Sequence, residues 1–85
     1  MNVTEVESLA IQARMALIVG AEVFDRLFTG IRFEETDGPV MYVTAKDEQT
    51  AAEIEDNLSL HIAIIASRIL KREVELVVVM PKVLQ

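Results

Sequence analysis

The chain has 85 residues, 52% of them hydrophobic, with 14 acidic side chains against 8 basic ones and a formal net charge of −6. That is one domain's length, near the size at which a single core suffices without staples, and with no cysteine there is neither a disulfide nor a thiolate metal site. The acidic balance disfavours DNA, RNA and anionic membranes as general partners, and no apolar run approaches the ~18 residues that span a bilayer.

The first residues, "MNVTEVES", carry neither the basic cluster nor the apolar run of a signal peptide, so a cytoplasmic location is expected. Thr4 followed three residues later by Glu7 has the spacing of a capping box. A helix is predicted from Glu5 to Val19, ended by Gly20. A shorter helix over Ala21 to Thr29 is closed by Gly30. From Ile31 the period changes to two: "IRFEET" sends Ile31 and Phe33 inward and Arg32 and Glu34 outward. "DGP" at Asp37–Pro39 is a turn, and "VMYVTA" completes a hairpin. Asp47 stands where it can cap a long helix predicted over Glu48 to Lys71. "VELVVVM", Val74 to Met80, is β-branched, stops at Pro81 and makes the third strand. The expected fold is one α+β domain in the order α-α-β-β-α-β, a three-stranded sheet against three helices. The tail "PKVLQ" either extends the last strand or hangs free.

The helix faces carry most of the functional reading. At about 100° per residue, Val6, Leu9, Ala10, Ala13, Ala16 and Leu17 share one side of the first helix and are expected to form its core stripe. Ile11, Met15 and Ile18 fall together on the opposite side, spaced i, i+4, i+7 as in a helix-docking seam. In the long helix, Ala51, Ile54, Leu58, Ile62, Ile65 and Ile69 line the core side, while Leu60 and Ile64 point away. A helix apolar all round is normally buried all round, and a domain this small has too little mass to bury every face. The surplus predicts a contact with another polypeptide through Ile11, Met15, Ile18, Leu60 and Ile64. The competing arrangement has the second helix covering Ile11 and Ile18, which leaves no surplus on that side.

Catalysis finds little to work with. The single histidine, His61, flanks the core stripe of the long helix, and Ser59 two positions away points elsewhere. Glu53 and Asp56 share a face without a His or Cys to complete a metal set, and there is no Gly-rich phosphate cradle. No enzyme activity, cofactor or metal is expected. The basic residues are scattered except in "RILKR", where cations complement the negative end of a helix.

The order of these elements, with "AEVFDRLFTGIRFEETDGPVMYVTAKDEQTAAEIEDNLSLHI" after an apolar first helix, resembles the N-terminal domain of the bacterial chromosomal replication initiator DnaA. Phe24, Leu27 and Ile31 fit the places of that family's second-helix phenylalanine, the apolar residue three further on, and the start of the strand. The resemblance implies a KH-like fold and a module for self-association and for docking regulators or the replicative helicase. It assigns pairing to positions matching Ser8 and Leu9, where the family's aromatic is absent. Helicase contact would fall near Val23, with Glu22 beside it, and near Gln49, where the family's aromatic is again absent. The implied partners are the initiator, a regulator of it, or a second copy of this chain in a weak homodimer. A free-standing relative of the domain is the expected form. KH modules suggest nucleic-acid binding as the alternative, but their clamping loop needs G-x-x-G and basic flanks, and "VGAEVF" supplies one glycine and an acid. A purely structural homodimer is the remaining alternative.

Overall fold

The computed structural model describes residues 1–82 and has the predicted order: α1 (Glu5–Val19), α2 (Ala21–Phe28), β1 (Arg32–Asp37), β2 (Val40–Ala45), α3 (Glu48–Leu70) and β3 (Leu76–Pro81). Of the tail, Val83–Gln85 lie outside the described residues, while Pro81 ends β3.

Local chemistry fixes the helix ends as the sequence suggests. The Thr4 hydroxyl accepts from the Glu7 amide at 3.1 Å, and the Glu7 carboxylate accepts from the Thr4 amide at 2.9 Å, closing the capping box. Gly20 ends α1 and begins α2 at φ 86°, ψ 162°, a conformation open almost only to glycine. The Asp47 carboxylate caps α3 by accepting from the Thr50 amide at 2.8 Å. At the other end Lys71 takes the left-handed conformation, φ 56°, which lets the chain leave the helix. Ser67 ties that exit down: its hydroxyl accepts from the Val74 amide at 3.0 Å and donates to the Ala63 carbonyl at 2.8 Å.

The sheet order is β1-β2-β3, with β1 antiparallel and β3 parallel to β2. Parallel strands need a long crossover, and α3 is that crossover. A register shift between Phe33 and Glu35 makes Glu34 the extra residue of a bulge, after which Thr36, not Glu35, faces the core. Residues 1–3 add a feature absent from the predicted elements. The Val3 amide donates to the Glu34 carbonyl and the Thr36 amide to the Met1 carbonyl, so this short segment lies along the outer edge of β1.

The core sits between the inner side of the sheet and the helices. Phe33, Met41, Val43, Ala45, Val77 and Val79 meet Ala51, Ile54, Ile62, Ile65 and Ala66 of α3, Leu27 and Phe28 of α2, and Ile11 and Met15 of α1. Phe24 stacks on Phe28 with ring centroids 5.0 Å apart. The predicted inner stripe of α3 is observed, with Leu58 and Ile69 half-buried at its flanks.

On α1 the expected sides are exchanged. Ile11 and Met15 are completely buried, whereas Val6, Leu9 and Leu17, assigned to the core from the sequence, are 77%, 57% and 84% exposed. The reason lies in where along the helix the bulk stands. α1 packs on α3 and α2, and in its middle turns the large side chains are Ile11 and Met15. The rival stripe offers alanines there, Ala10, Ala13 and Ala16, and keeps its large residues towards the ends. The start of the helix is also pinned, because residues 1–3 are paired to β1 and the capping box follows at once. That fixes the rotation of the first turn.

Candidate functional site

The surface that needs explaining is the outward side of α1. Val6, Leu9, Ala13 and Leu17 recur at helical spacing and are all exposed, so they form a stripe running the length of the helix. Ser8 and Gln12, on the inner flank, are half-buried and hydrogen-bonded to each other at 3.1 Å. Two polar residues thus sit on the covered side and several apolar ones on the open side. Of the proposed contact residues, Ile11 and Met15 are therefore removed: covered by their own chain, they have nothing to offer a partner. Ile18 is 49% exposed and remains, as do Leu60 at 70% and Ile64 at 45% on α3. Glu22 and Gln49 are exposed on α2 and the first turn of α3, while Val23 is half-buried against the core.

Two concavities flank α1. On one side Leu17 and Ile18 of α1 face His61, Ile64 and Ile65 of α3, with Arg14 and Arg68 at the rim. On the other, a wider cleft of about 990 Å³ has Ser8, Leu9 and Gln12 as a wall and Tyr42, Thr44 and Met80 from the sheet's outer side as part of its floor. Three polar side chains in this cleft engage one another: the Thr44 hydroxyl donates to Glu34 at 2.9 Å, and Arg32 lies 3.7 Å from the same carboxylate.

Four charged side chains elsewhere, Arg26, Lys46, Asp47 and Glu53, act within the fold. Arg26 on α2 makes a two-pronged contact with Glu53 on α3 at 2.9 and 3.0 Å. The hydrogen bond and opposite charge raise the Arg26 pKa, and the bond from Arg26 holds the Glu53 carboxyl below its ordinary value. The Lys46 ammonium donates to the Arg26 carbonyl at 2.7 Å. The Asp47 carboxyl is likewise held low by its capping bonds to Thr50. His61 is exposed and Ser59 half-buried. Among the described residues no three His, Cys, Asp or Glu side chains gather as a metal-binding group, and no helix is long and apolar enough to cross a membrane.

The interchange of sides on α1 is where sequence reasoning missed the exposed stripe. One signal was available: Ser8 and Gln12 are spaced i, i+4 and can satisfy each other, so their polarity did not forbid the inner flank. A scan against protein-family models and a search of curated proteins each gave no match.

Proposed function

We propose that this chain is a non-enzymatic protein-interaction module whose contact surface is the outward stripe of α1, continued by the exposed apolar residues of α3. The supporting observation is the stripe itself: three large apolar side chains and an alanine exposed on one helix. Single exposed apolar residues mean nothing, but an aligned set on a small domain is the mark of a docking surface.

Self-association is the simplest use. Two copies of α1 packed antiparallel about a two-fold axis through the helix middle would place Val6 of one near Leu17 of the other. Ala10 and Ala13 at the centre permit close approach of the backbones. Each large side chain contributes about 1.5–3 kcal/mol if fully buried, against roughly 4–15 kcal/mol of lost freedom on association. The pair is therefore weak and concentration-dependent. Because the element order resembles the replication initiator's N-terminal domain, we take that initiator, or a regulator of it, as the first heterologous partner to test, and replication initiation as the process in which to test it. Nucleic-acid binding has less support, because the chain carries a net charge of −6 and "VGAEVF" lacks the G-x-x-G clamp and basic flanks of KH modules.

The test is sedimentation velocity over a range of concentrations, on the wild type, Val6→Glu and Leu17→Glu. A wild type whose average mass rises with concentration, and variants that stay monomeric, support pairing through α1. Variants indistinguishable from a self-associating wild type would overturn it. Capture of the complete initiator by the wild type but not by Leu17→Glu supports the replication assignment; no capture of the initiator overturns that part alone.

A further inference from the structure

The stripe on α1 is convex, but the groove beside it is not. Leu17 and Ile18 from α1 and Ile64 and Ile65 from α3 make an apolar floor, and Arg14, His61 and Arg68 stand around it in a space of about 220 Å³. That is room for a large side chain or two, not for a cofactor. Ile18 and Ile64 are each about half exposed, so the floor is open to solvent.

The charge at this rim runs against the rest of the molecule. The chain carries a net charge of −6, yet the titratable side chains lining the groove are two arginines and a histidine. The ion pairs among the described residues are Arg26–Glu53 and Arg32–Glu34, and neither involves Arg14 or Arg68. Two guanidiniums thus flank an apolar slot without a carboxylate from the described residues to satisfy them. Guanidinium is the group best shaped to take a carboxylate through paired N–H donors.

We propose that this groove binds an amphipathic helix of a partner protein, one whose apolar stripe is edged by Asp and Glu. Apolar side chains of that helix, spaced i and i+3 or i+4, enter the slot over Ile18 and Ile64, and its acidic edges meet Arg14 and Arg68. A flat anionic bilayer suits the site less well. It cannot fill a concave slot, and its field acts on the whole acidic chain, whereas a helix meets only the local rim. The inference rests on the chain being a docking module. It uses Arg14, Ile18, Ile64 and Arg68, not the Val6, Leu9 and Ala13 part of the α1 stripe.

The test is a titration followed by amide chemical shifts, with a synthetic helical peptide of roughly 20 residues, long enough to hold helix, bearing Leu along one face and Glu on both flanks. A matched peptide with every Glu replaced by Lys, and phosphatidylglycerol vesicles, are titrated in parallel. The Glu-edged peptide is expected to bind, shifting the amides of Ile18, Ile64 and Arg68, and the Lys-edged peptide is not. Arg14→Glu with Arg68→Glu weakens binding of the Glu-edged peptide roughly tenfold and gains affinity for the Lys-edged one; Ile64→Glu weakens both. If the doubly reversed variant does not fold, Arg14→Gln with Arg68→Gln replaces it, with loss of binding again expected. Equal affinity for the two peptides, binding unmoved by these substitutions, or binding of the vesicles without the peptide would overturn the proposal. Val6→Glu separates the two readings. If it becomes monomeric and still binds the peptide, both stand; if it self-associates unchanged and binds the peptide, only α1 pairing fails.

Discussion

The Glu55 carboxylate on α3 accepts a hydrogen bond from the backbone amide of Val79 at 2.8 Å. β3 is an outer strand, paired only to β2, and this amide points away from β2 towards the open side. Two residues on, at the next outward position, Pro81 has no amide to leave unpaired. Between them a side chain and an imide close donors that would otherwise invite another strand.

Removing that acceptor has a defined effect. Glu55→Ala is expected to destabilise the fold by about 1 kcal/mol and to increase time-dependent light scattering, because an open strand edge is freed. Glu55→Gln keeps an oxygen acceptor and is expected to scatter little more than wild type. Urea unfolding and scattering on the two variants check both statements.

The sides of α1 differ in what truncation costs. Ile11 is completely buried and Leu17 is 84% exposed. Ile11→Ala is expected to cost about 2–5 kcal/mol through lost burial and a cavity. Leu17→Ala is expected to stay within about 0.5 kcal/mol, as exposed substitutions do. Chemical denaturation at low protein concentration, where self-association does not contribute, measures both.

Gly20 offers a test of backbone conformation free of packing. A Cβ at this position would meet no atom within 4 Å, so any penalty comes from φ 86° with ψ 162° alone. Gly20→Ala is expected to lower stability by about 1–3 kcal/mol and to disturb the junction of α1 and α2. Gly38, at φ 59° in the hairpin turn just before Pro39, likewise holds a positive φ that L side chains rarely adopt, and a Cβ there would meet no atom within 4 Å. Gly38→Ala is expected to lower the melting temperature in a thermal scan through backbone strain alone.

Acidification should act through Asp47 and Glu53. Both carboxyls titrate below their ordinary values in the folded chain, Asp47 through its capping bonds to Thr50 and Glu53 through Arg26. The unfolded chain therefore takes up these protons first as pH falls. The stabilisation is present above the ordinary carboxylate range, about pH 4, and is lost as pH drops through the lowered folded values. Asp47→Asn is expected to flatten the acid limb of a stability–pH profile, measured by urea unfolding in buffers on both sides of that range. Asp47 is exposed and Glu53 only partly covered, so the change in slope is small.

The element order and the ends of each helix were legible because they depend on local chemistry. Thr4 with Glu7, Gly20 and Asp47 each act within a few residues of themselves. The inner stripe of α3 was legible too, since one of its sides is plainly richer in large apolar residues. α1 was not, because it is apolar around most of its circumference and its phase is set from outside: by residues 1–3 lying along β1, and by α2 and α3 meeting its middle turns. The candidate surface inherited that error. Ile18, Leu60 and Ile64 stand outside as expected, and Ile11 and Met15 do not. The groove with Arg14 and Arg68 could not be read at all, since it joins two helices separated by the whole hairpin.

The parallel pairing of β2 with β3 sets a timetable for folding. The hairpin closes over a short turn, but β3 reaches its neighbour only after the chain has run the length of α3. Contacts between such distant parts of a chain form late, because the intervening loop must be closed first. During synthesis the helices and hairpin leave the ribosome while Met41, Val43 and Ile54 still lack Val77 and Val79 to cover them. Until β3 arrives, the inner side of the hairpin stays open to solvent and to other nascent chains.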